Sequence, residues 1–185
     1  MSRETHVADE KKALRARFRA LRADLSQEQR EAAATALTEL VSELDLGQRV
    51  AAYVPVGVEP GSPALLDAIR GEVLLPVTPT PPGPLEWARY DGELVPGPYG
   101  LREPQGRRLG TEALASADTV LLPALAVSRK GVRLGRGAGY YDRSLRGGAR
   151  LIAVVYHHEL VDTLPAEPTD VPVHAALTPE GLFTF

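Results

Sequence analysis

Residues 119–145 read TVLLPALAVSRKGVRLGRGAGYYDRSL. The run at 119–122 is apolar and short, which suits a strand covered on both faces. A loop follows in which Gly135, Gly137 and Gly139 alternate, and it opens a helix expected over 138–146. Strand, loop and helix in that order belong to an α/β unit. Open α/β sheets bind ligands beyond the carboxyl ends of their strands.

The same alternation extends in both directions. Residues 50–54 (VAAYV), 73–77 (VLLPV) and 151–155 (LIAVV) are further apolar runs, and 171–177 is a fifth strand weakened by Pro172. After a frayed start, Leu14, Phe18, Leu21 and Leu25 recur at helical spacing and predict a helix over 10–24 with one apolar stripe. Ser26-x-x-Gln29 is a capping box. The helix it starts buries Ala33, Leu37, Val41 and Leu44 before Gly47 stops it. Ser62 and Pro63 open a helix over 63–70, closed by Gly71, and a short helical piece lies near 111–117. The prolines of 78–84 can continue neither element type. Asp91-Gly92, between 85–90 and 93–95, is a hairpin signal. The pattern predicts a single α/β domain over residues 1–185. It has three layers, a mostly parallel central sheet flanked by helices, and a small hairpin.

With 185 residues, 44% hydrophobic and 24% charged, the chain fits one globular domain with its own core. The absence of cysteine excludes a disulfide framework, a thiolate nucleophile and a Cys-based metal site. The opening MSRETHVADEKK has no apolar stretch behind its charges, so no secretory signal is expected. No window is apolar enough to span a membrane. The expectation is a cytoplasmic protein, monomeric or weakly homo-oligomeric, with neither membrane nor nucleic acid as partner. The net charge of −3 hides an asymmetry. Between 128 and 150 lie Arg129, Lys130, Arg133, Arg136, Arg143, Arg146 and Arg150, against Asp142 alone. Cations concentrated in a mildly acidic chain point to an anionic ligand.

Alternate glycines let backbone amides approach that ligand without Cβ obstruction. The helix that follows favours anions at its amino end. Arg133 and Arg136 suit phosphate, which a guanidinium can grip with two parallel hydrogen bonds. Mg2+ is typically held by one or two carboxylates plus substrate phosphates, a role open to Asp142. The loop is not a P-loop, since G-x-x-x-x-G-K-[ST] is absent. Nor is it a dinucleotide fingerprint, since its glycines run G-x-G-x-G with no strand immediately before them. ATP with a divalent metal is the expected pair.

The segment Arg133-Leu-Gly-Arg-Gly-Ala-Gly-Tyr-Tyr-Asp142 strongly resembles the signature of the 5-formyltetrahydrofolate cyclo-ligase family, also called 5,10-methenyltetrahydrofolate synthetases. The resemblance runs nearly end to end. Lys11-Lys-Ala-Leu-Arg15 is similar to the family's nucleotide-contacting helix, and Tyr53-Val54 with Glu59 to its first strand and substrate loop. Tyr99-Gly-Leu-Arg-Glu103-Pro104 resembles its central loop. Leu164-Pro-x-Glu167 with Asp170 resembles its C-terminal segment.

The resemblance implies an enzyme that converts 5-formyltetrahydrofolate to 5,10-methenyltetrahydrofolate while ATP goes to ADP and phosphate, with Mg2+. It implies that Lys11, Lys12, Ala13, Leu14 and Arg15 bind ATP, together with Arg133, Leu134, Gly135, Arg136, Gly137, Ala138, Gly139, Tyr140 and Tyr141. Arg136, Arg133 and Tyr140 are the expected catalytic residues. Val54, Glu59, Tyr99 and residues 136–140 are expected to border the folate, and Asp142 and Asp170 to carry the metal. The rings of Tyr99 and Tyr140 suit stacking on the pterin.

By residue type alone, Lys11 and Arg15 also fit a solvated helix face, and Trp87 a packed hairpin strand. His157-His158-Glu159 fits a strand end, since adjacent side chains there point opposite ways. The chain departs from the family pattern at His157-His158, near a usual glutamine, at His174 in place of an aspartate, and at Ala138 in place of Lys or Gly. Two other classes compete: an ATP-using enzyme acting on another formamide or carboxylate, and a non-catalytic nucleotide- or RNA-binding module. Aromatic content of 5% disfavours the module.

Overall fold

Two helices open the chain, α1 (Arg3–Ala23) and α2 (Gln27–Glu43). The computed structural model describes residues 3–185, with side chains from His6 onward. Residues 1 and 2 of the expected frayed start lie outside the described residues; from Arg3 the backbone is already helical. The capping box of α2 forms as its spacing predicts. Ser26 Oγ accepts from the Gln29 amide at 3.1 Å, and Gln29 Oε1 accepts from the Ser26 amide at 2.8 Å. Two of the orphan amide donors at the helix start are thereby satisfied.

The strands follow in the order β1 (Arg49–Ala51), β2 (Glu72–Val77), β3 (Glu86–Arg89), β4 (Leu94–Pro96), β5 (Arg102–Pro104), β6 (Arg108–Gly110) and β7 (Thr119–Pro123). Then come β8 (Ala126–Ser128), β9 (Arg133–Leu134), β10 (Arg150–Val154), β11 (Leu160–Val161), β12 (Ala175–Thr178) and β13 (Gly181–Thr184). Helix α3 (Pro63–Ala68) joins β1 to β2, and α4 (Tyr140–Ser144) lies between β9 and β10. Short 3-10 turns form at Pro98–Gly100, Thr111–Ser116 and His157–Glu159.

The main sheet runs β13-β12-β10-β7-β1-β2-β3-β6. Its five inner strands, β12 to β2, are parallel, and β13, β3 and β6 add antiparallel edges. Apolar side chains alternate between two cores. On one face Val50, Leu75, Leu121 and Ile152 meet Leu37 and Val41 of α2 and Leu66 of α3. On the other, Leu74, Trp87, Leu122 and Ala153 meet Leu114, Tyr141 and Leu145. A parallel sheet covered on both faces explains why its strands read as continuous apolar runs. The expected three-layer α/β fold is the observed one.

Five local expectations change. Asp91-Gly92 does not turn a hairpin, because both edges of β3 are taken, by β2 and β6. Asp91 instead accepts from the Glu93 amide at 3.1 Å, and the small hairpin is β4 with β5. The loop glycines do follow a strand, the two-residue β9, which pairs antiparallel with β8. Helix α4 is shorter than 138–146, a single turn too brief to present much of a dipole. In the C-terminal region only Ala175–Thr178 joins the sheet from the expected 171–177 run, and His157–Glu159 is a 3-10 turn rather than a strand end.

The apolar stripe of α1 also breaks. Leu21 is exposed, and its neighbour Arg22 is buried instead, at 3% exposure, against a Glu159 of 0%. The two carboxylate oxygens of Glu159 accept from Arg22 Nε at 2.6 Å and Nη2 at 2.9 Å. Removing one partner of such a pair strands the other charge in the interior. Arg22→Ala should therefore lose about 3–5 kcal/mol in urea unfolding. Leu21→Ala should stay within about 0.5 kcal/mol of the parent chain.

Candidate active site

Strands β1, β2 and β7 end on one side of the sheet, and a cavity of about 850 Å3 opens there. Tyr53 and Val54 after β1, Pro76 and Thr78 at the end of β2, and Pro123 at the end of β7 form its floor. Helix α1 closes one wall with Lys11 and Arg15. The 133–143 segment closes a second, and Glu59, Tyr99, Glu103, Glu167 and Asp170 complete the rim.

Helix α1 holds the glycine loop by its carbonyls. Arg15 Nε donates to the Gly135 oxygen at 2.9 Å, and Arg19 Nη2 to the Arg136 oxygen at 3.1 Å. Gly137 and Gly139 take φ of 103° and 69°, the left-handed region that side chains disfavour. The loop can keep this course only with glycine at both points.

Three of the cations at the site, Arg133, Arg136 and Lys11, have carboxylate partners. Arg133, with its side chain 6% exposed, donates from Nη2 to Asp142 Oδ1 at 2.8 Å. Its buried Nε has no hydrogen-bond partner among the described residues. Arg136 reaches Glu59 Oε1 at 3.3 Å across the cavity, and Glu59 Oε2 accepts from the Val56 amide at 3.0 Å. Lys11 Nζ lies 2.6 Å from Glu167 and 2.7 Å from Asp170. Burial opposes the Lys11 charge, but the hydrogen bonds and charges of Asp170 and Glu167 outweigh it and raise the ammonium above its ordinary pKa. Burial pushes the Glu59 carboxyl up, against the pull of the Val56 amide and Arg136. Burial, followed by the Glu59 charge, raises the Tyr53 phenol well above its usual range.

Most of the expected site residues converge on this cavity: Lys11, Arg15, Val54, Glu59, Tyr99, all of 133–142, and Asp170. Lys12 and Ala13 face solvent, and Leu14 packs with Phe18 and Leu134. Tyr99 sits at the mouth, 74% exposed and at φ 59°. The departures at His157, His158 and His174 do not line the cavity. His174 Nδ1 accepts from the Leu151 amide at 2.9 Å, a structural task at the start of β10. Sequence reasoning quoted Tyr53, Glu103 and Glu167 in the matching stretches and Arg143 among the clustered cations without giving them individual roles, and it passed over Thr78; all five line the cavity. Tyr53 was hidden inside an apolar run, and Glu103 acts indirectly, accepting from the Thr78 amide at 2.9 Å. Trp87 proves to be core, fully buried with its ring edge-on to Tyr141 at 6.4 Å.

A cavity at the carboxyl ends of parallel strands, walled by arginines and a glycine loop, defines an α/β enzyme of anionic small molecules. The model of the 5-formyltetrahydrofolate cyclo-ligase family matches residues 7–179, and the chain belongs to that family of ligases. It is 50% identical to the 5-formyltetrahydrofolate cyclo-ligase of Mycolicibacterium smegmatis over 163 residues, covering 82% of this chain and 84% of that one. With the Escherichia coli enzyme of the same name it shares 31% over 180 residues, covering 92% and 98%. The solution structure of Aquifex aeolicus 5,10-methenyltetrahydrofolate synthetase superposes with a TM-score of 0.80 at 27% identity, covering 94% of this chain and 92% of that one. Among the described residues no helix is long and apolar enough to cross a membrane.

The raised Glu59 carboxyl has a consequence for stability. Above 4.5, its ordinary value, the unfolded chain has lost a proton that folded Glu59 still holds. Its contribution to stability therefore falls as pH rises from there through the raised value. In thermal melts from about pH 4 to pH 7, Glu59→Gln should gain stability relative to the parent as pH rises through that window. A difference that stays constant with pH would remove Glu59 as the titrating group.

Proposed function

We propose that this chain converts 5-formyltetrahydrofolate to 5,10-methenyltetrahydrofolate, with ATP going to ADP and phosphate. The observation that carries the reading is the meeting of two loops across one cavity: the glycine loop with Arg136 faces the loop of Glu59 at 3.3 Å. A nucleotide held by the first and a folate held by the second would touch.

The chemical problem is a poor electrophile. The N5-formyl group is an amide, and its oxygen leaves badly. Transfer of the γ-phosphoryl group to that oxygen releases ADP and leaves an iminium-like phosphate ester. The N10 nitrogen then attacks the formyl carbon. N10 loses its proton and phosphate departs with the oxygen as the ring closes. Phosphoryl transfer relies on positioning and charge neutralisation more than on covalent chemistry by the protein. A site of arginines and amides with no activated nucleophile matches that demand.

Lys11, Arg15, Arg133 and Arg136 bind the triphosphate. In doing so Arg133, Arg136 and Lys11 exchange carboxylate partners for phosphate oxygens, one charged hydrogen bond for another. Arg136 and Arg133 neutralise the charge that develops during transfer, and Tyr140 borders the reacting groups. Glu59 accepts hydrogen bonds from pterin nitrogens, Val54 lines the same subsite, and Tyr99 stacks on the ring from the mouth. Among the described residues no three acidic or histidine side chains gather into a complete metal cage. Two carboxylates on a phosphate cavity, Asp142 and Asp170, nonetheless fit Mg2+, which takes most of its ligands from phosphates and water. When bound, the ion supplies charge neutralisation and orientation of the phosphate chain.

Incubation of the protein with 5-formyltetrahydrofolate and MgATP should give methenyl product that depends on both ATP and metal. ATP turnover without that product would favour another formamide or carboxylate as substrate. Arg136→Ala and Asp142→Ala should each lower kcat on the order of 100-fold or more, with the thermal midpoint near the parent's in the first and lower in the second, where buried Arg133 loses its partner. Near-normal rates in either variant would remove the glycine loop from the chemistry.

A further inference from the structure

Outside the cavity lies a buried polar chain that the reaction as described does not use. It starts at Arg22 in the last turn of α1. Besides its two bonds to Glu159, the Arg22 guanidinium donates to the Ala124 carbonyl through Nη2. Glu159 in turn accepts from the Tyr156 amide at 2.9 Å, closing the 3-10 turn on itself. The Tyr156 ring is thereby fixed from three sides. Its backbone is held by Glu159, the Arg22 guanidinium lies 5.7 Å from the ring centroid, and the His158 ring stacks at 5.9 Å. The free end of this chain is the Tyr156 hydroxyl, which donates to the Val58 carbonyl at 3.0 Å.

Val58 immediately precedes Glu59. On the other side of Glu59, the Tyr53 hydroxyl donates to the Pro60 carbonyl at 3.4 Å. Two phenols from different strand ends therefore hold the peptide carbonyls that flank one carboxylate. Within the loop, the Glu59 amide donates to the Val56 carbonyl at 3.1 Å, and Glu59 Oε2 takes the Val56 amide. The tight turn is thus tied at both ends to the core, although Val58 itself is exposed.

We propose that Tyr156, braced by the Arg22–Glu159 pair, is a positioning residue for Glu59, fixing the Val58 carbonyl so that the carboxylate faces the folate subsite. The proposal rests on the reading that Glu59 contacts folate. A buried ion pair is a poor source of net stability, because desolvation consumes most of the attraction. Its value here lies in orientation: it leaves Tyr156 with one ring placement and one reachable acceptor. Preorganised contacts of this kind cut the ordering cost of binding. The position of Tyr156 two residues beyond the parallel strand β10 and that of Arg22 on the first helix make the brace a three-way tie between α1, the sheet and the substrate loop.

Tyr156→Phe is the mild probe, since it keeps the ring over Arg22 and against His158 and removes one hydroxyl. In the free protein, the amides of Val56 and Glu59 should exchange with solvent faster than in the parent. In steady-state kinetics the KM for 5-formyltetrahydrofolate should rise roughly 3- to 10-fold, the value of one hydrogen bond, with the KM for MgATP and the thermal midpoint nearly unchanged. Glu59→Gln measured in parallel separates the two ideas. If Glu59→Gln raises the folate KM and Tyr156→Phe does not, the brace is overturned and the reading of Glu59 stands. If Glu59→Gln leaves the folate KM unchanged, both fail. In the double variant, Tyr156→Phe should add little to Glu59→Gln; additive effects would assign Tyr156 a role independent of Glu59 and overturn the proposal. Unchanged amide exchange would overturn it at the structural level, whatever the kinetics.

Discussion

Positive charges gathered around one cavity repel one another, and the fold must hold them there. It does so by pairing: Arg133 with Asp142, Arg136 with Glu59, and Lys11 with Glu167 and Asp170. The Arg133 pair lies within the glycine-loop wall, whereas the Arg136 and Lys11 pairs join distant parts of the chain and stitch the cavity walls together. The Lys11 contact joins the first helix to the C-terminal segment, more than 150 residues away along the chain. Such a site is close to electrically balanced, and an anion entering it would compete with the acids for the same donors.

The scaffold beneath serves that arrangement. Five parallel strands deliver their carboxyl ends to one edge, which is where an open sheet leaves room for ligands. Helix α1 does not lie across the main sheet like α2. It packs through Phe18 against the small sheet of β8 and β9, near Leu134. That position lets Arg15 and Arg19 grip the glycine loop from outside while Arg22 reaches into the interior. One helix thereby supports both halves of the cavity: the glycine loop directly, and the Glu59 loop through Glu159 and Tyr156.

The parts of this design that could be read from residues are those in which local chemistry and fold agree. The parallel strands were legible because burial on both faces leaves no polar positions, as in 119–122 and 151–155. The glycine loop was legible because its glycines, arginines and tyrosines are unusual in combination. Antiparallel edges were not: β5, β6 and β13 are three or four residues long, largely half-exposed, and carry no period long enough to detect. Asp91-Gly92 is a sound turn signal that lost its hairpin to competition for the edges of β3. Arg22 and Glu159 defeated sequence reasoning for a different reason. Each looks like an ordinary surface charge, and only a partner 137 residues away makes either tolerable in the core. Glu167 took its place in the site in the same way, through Lys11 at the other end of the chain.

The protein contains a single tryptophan, and it is the fully buried Trp87 of β3. Its ring meets the edge of Tyr141, a residue of the cavity wall that follows the glycine loop by two positions. The chain therefore carries its own optical reporter. Any event that moves the phosphate loop disturbs the surroundings of one indole, and no other indole dilutes the emission change. A ligand that moved this loop could be followed by intrinsic fluorescence, without a label and without turnover.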